Sequence, residues 1–248
     1  MNKNSLKQFF KSQTFNPTLI GLFTNPFYFT RRALYDGIAK LAPNIKGRIL
    51  DVGCGQKPYR HLFTSPTYIG VEVQQEGHDH TNEQVDFFYD GKRLPFDDAT
   101  FDSIITSEVL EHVFEPDEFL QEIHRNLKSG GKLLLTAPFV WDEHEQPYDY
   151  ARYTSFGLKH LLQKNGFKVI QQHKTLNDTR IIFQLISLYI FKKTLWARKT
   201  PAMNIIATCV FNAWLNISGS IIAFIIPYNN DLYFGNIVLA EKHKTPNS

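Results

Sequence analysis

The stretch Arg48-Ile-Leu-Asp-Val-Gly-Cys-Gly55 decides how this chain reads. An apolar run short enough for a buried strand meets an acid and then two glycines one residue apart. Gly53 and Gly55 let the backbone turn tightly and approach a ligand where a side chain would collide. A lone Gly-x-Gly also marks ordinary strand-to-helix turns, so its meaning rests on its surroundings.

Outward from that turn, strand-like apolar runs recur at Tyr68–Val73, Val85–Tyr89, Phe101–Thr106, Lys132–Ala137 and Phe167–Ile170. Between them, Asp117–Lys128 carries Phe119, Leu120, Ile123 and Leu127 at helical spacing. Pro116 suits its first turn, and Ser129-Gly130-Gly131 suits a C-cap. A second helix is expected over Ser155–Lys164, with Leu158, Leu161 and Leu162 on one face. Such alternation predicts an α/β fold with a parallel sheet covered on both faces. The alternation stops near residue 175, and a last strand-like run appears only at Tyr233–Ala240. A gap of that length must hold structure of its own.

The 248 residues are 43% hydrophobic and 21% charged, which suits one domain with an embellishment and excludes disorder throughout. Two cysteines, Cys54 and Cys209, make no disulfide framework and no Cys-x-x-Cys zinc site. The opening Met-Asn-Lys-Asn-Ser lacks the apolar core of a secretory signal, so a reducing, cytoplasmic location is expected. Charge is unevenly spread. Residues 1–50 carry eight Lys/Arg against one acid, residues 51–173 eleven against twenty, and residues 174–230 six against one. The acidic middle is no cradle for a phosphate backbone, so no nucleic-acid partner is expected. The basic flanks suit either an anionic surface or plain solvation.

Three features lie at fitting distances from the glycine turn. Glu72, at the tip of the second strand, can accept hydrogen bonds from both hydroxyls of a ribose. Tyr89-Asp-Gly91 can place Asp90 beside an adenine amino group, and Leu94-Pro-Phe96 leads through a strand into Ser107-Glu-Val-Leu-Glu-His-Val113. Together these residues resemble the class I S-adenosylmethionine-dependent methyltransferases, specifically the small-molecule type related to ubiquinone-pathway O-methyltransferases. The resemblance covers roughly residues 33–175 and the final strand. It rests on Leu50-Asp-Val-Gly-Cys-Gly55, Leu94-Pro-Phe96, Phe101-Asp102, Glu108-Val-Leu-Glu-His-Val113 and Leu127-Lys-Ser-Gly-Gly-Lys-Leu133.

The resemblance implies a Rossmann-like, seven-stranded doubly wound sheet with an antiparallel last strand and a helical insertion before it. It implies S-adenosyl-L-methionine as cofactor, with Gly53, Cys54 and Gly55 along its methionine portion and Asp51 beneath them. Glu72 would hold the ribose, Asp90 and Gly91 would lie near adenine, and Ser107 and Glu108 would sit where the methyl group emerges. One departure is Gln56-Lys-Pro-Tyr59 in place of a third glycine. A nicotinamide-binding turn wants that glycine, so its absence argues against an NAD-dependent enzyme. The Asn-Pro-Pro-Tyr-like signature of amino-group methylation is also missing, since Thr106-Ser-Glu-Val109 stands in its place.

The acceptor side is expected in the loop from Ala137 to Thr154. His144 is the candidate base, with Glu143 or Glu145 tuning it, and hydrogen bonding within the loop is its bland alternative. Trp141, Tyr148 and Arg152 are candidate acceptor contacts, although Arg152 could equally tie down Asp149. No spacing marks metal ligands, so none are assigned. His112 is expected on the helix after the fourth strand, in a packing or cofactor role.

Between Lys199 and Asp231 lie 31 residues without Asp, Glu, Lys, Arg or His. A helix over Ile205–Ile226 would measure about 33 Å, close to a hydrocarbon core of about 30 Å. Against spanning, Asn204, Thr208, Asn212, Asn216 and Ser220 recur every fourth residue, and Gly219 is a candidate break. Ile181–Phe191 is apolar nearly all round but too short to span. Lys192, Lys193, Trp196, Arg198 and Lys199 between the two suit an anionic head-group zone. The expectation is peripheral membrane contact through residues 181–226 at the inner face, with internal packing or a homodimer interface as alternatives. Phe23, Phe27, Tyr28 and Phe29 would form a lid or join that surface.

The resulting division is 1–32 as an aromatic and basic segment, 33–175 as the methyltransferase core, 176–230 as the insertion and 231–248 as the final strand and tail. The expected reaction is O-methylation of a small or lipid-linked acceptor, such as a glycan intermediate or quinone-like precursor. The alternatives are an inactive cofactor-binding scaffold at the membrane and a protein or nucleic-acid methyltransferase. The sequence does not identify the acceptor.

Overall fold

Ile49, Leu50 and Val52 are fully buried in a five-residue strand, β1 (Arg48–Val52). In the computed structural model, which describes residues 13–74, 84–194, 201–226 and 228–243, parallel neighbours flank β1 on both sides. These are β2 (Thr67–Val73), which also pairs with β3 (Phe87–Tyr89), and β4 (Phe101–Ser107). Beyond β4 lie β5 (Leu127–Pro138), then β7 (Gly235–Lys242) and β6 (Phe167–Thr175). The order β3-β2-β1-β4-β5-β7-β6, with β7 antiparallel to β5, is the expected seven-stranded sheet.

The chain forms two compact units, Gly37–His173 with Gly235 onward, and the residues up to Asp36 with Lys174–Phe234. In the sheet unit, Leu50, Val52, Phe101, Ile104, Leu133, Leu135 and Val238 pack against Phe119, Leu120, Ile123, Leu158 and Leu162 from two helices. The first of these is α2 (Pro116–Asn126), which follows α1 (Tyr28–Leu41) in the chain. Pro116 opens α2, Asp117 and Glu118 sit in its first turn, and His124 and Arg125 in its last, as the helix dipole favours. The second is α3 (Ser155–Lys164), capped by the Thr154 hydroxyl, which accepts from the Gly157 N–H at 3.0 Å.

Ser129-Gly130-Gly131 is not a helix cap. The helix ends at Asn126 and β5 starts at once, with Phe101 opposite Leu127 and Ser103 opposite Lys132. The extra residues form a bulge, and at Gly131 an added Cβ would lie 2.9 Å from the Lys128 carbonyl oxygen. Strand pairing therefore outcompetes the helix-stop signal. His112 likewise lies on a single 3-10 turn, Leu110–His112, rather than on a helix.

The helical unit is built with its polarity reversed. It contains α4 (Arg180–Thr194) and α5 (Pro201–Ile225). Four polar residues of these helices, Gln184, Ser187, Asn212 and Asn216, point inward. Gln184 is fully buried, accepts from the N–H groups of Phe29 and Thr30, and donates to the Pro26 carbonyl at 2.7 Å. The Ser187 hydroxyl lies 3.2 Å from Asn212 Oδ1, and Asn216 donates to the Leu22 carbonyl at 2.8 Å. The outward faces are apolar: Ile182, Ile186 and Tyr189 on α4, and Val210, Trp214, Ile217, Ile221, Phe224 and Ile225 on α5. Phe224 is 94% exposed.

Gly219 does not break α5. A Cβ there would come within 2.9 Å of the Phe183 ring, so the glycine marks a close approach between helices. Its interior cost is only about 1 kcal/mol. Phe27 meets Phe191 edge-on at 5.1 Å and Phe29 is buried, so these rings pack within the helical unit, while Phe23 is exposed. Residues Lys3, Lys7, Lys11, Trp196, Arg198 and Lys199, and the side chains of Asn204 and Thr208, lie outside what the structure describes. Among the described residues no helix is long and apolar enough to cross a membrane.

Candidate active site

The sheet order reverses between β1 and β4, because β2 follows β1 on one side and β5 follows β4 on the other. The carboxyl ends of two such strands open a crevice, and the loops after them line it. Gly53 to Gly55 follow β1, and Ser107 and Glu108 end β4.

The two glycines of the bend are needed for different reasons. Gly53 has φ +74°, and its N–H donates to the Val71 carbonyl at 2.9 Å. A Cβ there would lie 2.3 Å from a Val109 methyl. Gly55 has φ +45°, and its N–H donates to Glu72 Oε2 at 3.0 Å. Among the described residues, a Cβ there would meet nothing within 4 Å beyond its chain neighbours. Gly53 is thus closed in by protein, while Gly55 borders open space beside the Glu72 carboxylate, a shape that fits a nucleoside-bearing cofactor. Cys54 offers its backbone only. Its side chain is buried, and burial, then the charges of Asp51 and Glu72, push the thiol well above its ordinary range.

Asp51 lies beneath the bend and accepts a hydrogen bond from the Tyr68 hydroxyl at 2.6 Å. Burial raises its carboxyl to about 7, against the lowering effect of that bond. An acid whose folded pKa exceeds its unfolded value stabilises fully below the unfolded value and loses that contribution as pH rises through the folded one. Between pH 4 and pH 8 the D51N variant should therefore gain on the parent, by on the order of 2–4 kcal/mol. Urea midpoints at pH 5 and pH 8 check this, and a pH-independent difference would contradict it.

Asp90 is exposed at the end of β3, where its Oδ1 accepts from the Arg93 and Lys92 N–H groups at 2.9 Å each. Those bonds lower its carboxyl, and Gly91 follows with φ +80°. Across the crevice, Thr136 of β5 ties down the end of β4. Its hydroxyl lies 3.0 Å from the Ser107 hydroxyl, accepts from the Glu108 N–H at 3.0 Å, and donates to Glu108 Oε1 at 2.8 Å. Glu108 is held at φ +56°, a conformation that residues with side chains rarely adopt.

The loop after β5 folds back onto the turn after β4, since the Tyr150 and Ala151 N–H groups both donate to the Glu111 carbonyl. His144 is half-buried in this loop. Its backbone N–H donates to Asp149 Oδ2 at 2.9 Å, and its Nδ1 lies 3.2 Å from the Asp142 carbonyl and 3.3 Å from Asp149 Oδ2. Those partners can only accept, so Nδ1 carries the proton and Nε2 keeps a lone pair. Burial lowers the pKa of the ring, and His112 lowers it further.

Asp149 orients the imidazole, and the charge of Glu145 also acts on the ring, raising its pKa against burial. Glu143 instead accepts from Gln146 at 3.2 Å. Glu145 is exposed with φ +49°, and its Oε2 lies 3.7 Å from His112 Nε2. Arg152 spends its guanidinium inside the loop on Asp149, at 2.6 and 2.7 Å, and on the Asp142 and Ala151 carbonyls. Burial works to raise the Asp149 carboxyl, but Arg152 and the His144 N–H bring it down to about 2. Trp141 and Tyr148 are half-buried in the same loop, and the Tyr148 carbonyl is 2.8 Å from His112 Nδ1.

Sequence reasoning missed Glu111, which is fully buried with neither carboxylate oxygen hydrogen-bonded. Burial, then the charge of Glu108, raises its carboxyl well above the ordinary range. The available signal was an acid directly before His112 and three residues after Glu108, inside an otherwise apolar stretch.

A family profile described as a methyltransferase domain matches residues 27–172. The O-methyltransferase rstn1 of Aspergillus nomiae is 32% identical over 54% of this chain and 70% of its own length. The O-methyltransferase cnsE of Penicillium expansum is 32% identical over 53% and 55%. The chain spans 63% of the length of a probable S-adenosylmethionine-dependent methyltransferase of Mycolicibacterium smegmatis and 55% of cnsE, less than two thirds of each. Among solved structures, phosphoethanolamine N-methyltransferase 2 of Haemonchus contortus, in complex with S-adenosyl-L-methionine, superposes with a TM-score of 0.53. It has 17% identity and covers 92% of this chain and 58% of that one, a likeness of fold alone.

Proposed function

This chain belongs to the class I S-adenosylmethionine-dependent methyltransferases, and we propose that it methylates an oxygen of a small or lipid-linked acceptor, such as a glycan intermediate or a quinone-like precursor. One observation carries the reading. An open glycine bend and a half-buried imidazole with a lone pair on Nε2 follow the parallel strands β1 and β5, beyond their carboxyl ends.

S-adenosyl-L-methionine supplies a methyl group on a sulfonium, which leaves by in-line displacement. In this reading Gly53, Cys54 and Gly55 take the methionine portion, with Asp51 holding the bend from beneath. Glu72 accepts from the ribose, Asp90 and Gly91 flank adenine, and Ser107 and Glu108 border the emerging methyl group. Alignment of this kind supplies about 7–11 kcal/mol of barrier reduction. His144 and Glu145 handle the acceptor proton, and Trp141, Tyr148 and Arg152 wall the acceptor pocket. The likeness to two O-methyltransferases supports oxygen as the target.

Incubation with methyl-labelled cofactor and fractionated extract tests the reading. Label in a lipid or small-molecule fraction supports it, and label confined to protein or nucleic acid overturns the acceptor class. Absence of transfer despite cofactor binding would leave the inactive scaffold.

The reversed polarity of α4 and α5 supports a second part of the proposal, peripheral contact with an anionic bilayer from the cytoplasmic side. Trp214 and Phe224 present apolar surface outward, and Lys192 and Lys193 at the end of α4 are exposed. Residues 174–230 carry six basic side chains against one acid, which suits anionic lipid rather than a like-charged copy of the same face. The W214S/F224S variant should bind anionic vesicles at least about tenfold more weakly, since burying such side chains contributes about 1.5–3 kcal/mol each. Sedimentation with vesicles reads this. Equal pelleting of both proteins, or a homodimer that W214S/F224S dissociates without lipid, would overturn it.

A further inference from the structure

We propose that Glu111, His112 and His144 together hold one divalent transition-metal ion, zinc by the chemistry of the donors, on the acceptor side of the crevice. The inference rests on the methyltransferase reading and deepens it by dividing the roles of His144 and Glu145.

Each of the three residues offers one ligand atom, and these atoms lie within 4.8 Å of one another. His112 Nε2 is 3.9 Å from Glu111 Oε1, and the two imidazole rings meet edge-on with centroids 4.7 Å apart. Zinc bonds of about 2.0–2.1 Å would bring such atoms to about 3.3 Å from one another, a closure of up to about 1.5 Å.

Both histidines are already in the tautomer that ligation needs. His112 Nδ1 faces the Tyr148 carbonyl at 2.8 Å, and His144 Nδ1 faces the Asp142 carbonyl at 3.2 Å. A carbonyl can only accept, so each ring is protonated at Nδ1 and presents an Nε2 lone pair. This is the outer-shell arrangement that orients metal-bound histidines. Asp149 reinforces it at His144.

Glu111 is the independent observation. It is fully buried and neither oxygen has a hydrogen bond. Protonation does not resolve the problem, since a neutral carboxyl would bury an O–H that also lacks an acceptor. The neighbouring charges compensate it only in part: Glu108 and Asp149 are acids, Arg152 favours the carboxylate but is committed to Asp149 through two hydrogen bonds, and His112 Nε2 stands 3.9 Å away. A dication facing two imidazoles and this carboxylate removes the deficit, and a two-histidine, one-glutamate set with an open position suits catalytic zinc.

The division of labour follows. With His144 as a ligand, the ion would act as a Lewis acid on the acceptor hydroxyl, and Glu145, exposed and with Oε2 3.7 Å from His112 Nε2, would accept the hydroxyl proton. The acceptor oxygen then forms a bond to the methyl carbon as the carbon–sulfur bond breaks. Its electron pair stays on sulfur, giving the thioether and the methyl ether, and Glu145 returns its proton to solvent.

The test uses the full chain, stripped with a chelator and titrated with Co(II) by absorption and with Zn(II) by calorimetry. One equivalent should bind at micromolar Kd or tighter. E111Q, a nearly isosteric change, and H144A should each weaken uptake at least about 30-fold, whereas H160A, on exposed α3 surface, should not. If H144A fails to fold, E111Q alone decides. No stoichiometric uptake, or uptake unchanged in E111Q, overturns the site. Calorimetry with S-adenosylhomocysteine on the same preparations separates the two readings. If that product binds and the ion does not, only this inference falls. If the product does not bind, the methyltransferase reading fails first.

Discussion

H144A is expected to turn over about 10²–10⁴-fold more slowly than the parent while binding S-adenosylhomocysteine with unchanged affinity. The bonds of His144 run to Asp142 and Asp149, and its ring faces His112. None of them reaches Gly55 or Glu72, so cofactor affinity has no reason to fall. The result holds whether Nε2 takes the acceptor proton or holds an ion, because both roles use the same lone pair.

The pH profile adds a second readout. Burial lowers the pKa of His144, so the ring stays unprotonated as pH falls through the ordinary histidine value of about 6.5. The acid limb of kcat should therefore lie below pH 6.5. Turnover in H144A equal to the parent would remove His144 from the mechanism, and an acid limb above pH 6.5 would contradict its environment.

What could be read beforehand was mostly local in the chain. Asp51 and Glu72 lie on two consecutive strands and Gly53 and Gly55 in the turn between them, so strand-length arithmetic places them together. The acceptor side could be read as a loop but not as a geometry. Glu143 and Glu145 flank His144 in sequence, yet Asp149 reaches the ring, because the loop folds back and Arg152 fixes it. Glu111 was invisible for a related reason. Its importance comes from burial beneath a loop some thirty residues downstream, which no spacing within Glu108–Val113 reveals.

The insertion shows a different limit. The four-residue recurrence of Asn212, Asn216 and Ser220 was legible, and so was the apolar remainder of the helix. Periodicity shows that a helix has two faces without showing which one turns inward. Here Asn212 and Asn216 face the interior, where the Ser187 hydroxyl meets Asn212 Oδ1 and the Leu22 carbonyl accepts from Asn216, so the apolar face points outward. The Ser129-Gly130-Gly131 stop failed because the sheet register of β5 decided that segment.

The glycine bend offers the most discriminating substitutions. G55L should lower affinity for S-adenosylmethionine and S-adenosylhomocysteine by at least about 100-fold while costing only about 1–2 kcal/mol of stability. At φ +45° the backbone conformation is accessible to a side chain at that modest cost, and among the described residues nothing beyond its chain neighbours lies within 4 Å of the new Cβ. The leucine would therefore grow into open space, and in this reading that space belongs to the cofactor. G53A is expected to behave in the opposite way. Its Cβ would sit 2.3 Å from a Val109 methyl, so the protein itself must shift, and the loss should appear first as reduced thermal stability. Calorimetric binding and thermal melts on both variants separate the cases. Should G55L fold normally and still bind the cofactor tightly, the open space beside Glu72 would not be the nucleoside site, and the assignment of the bend would fall with it.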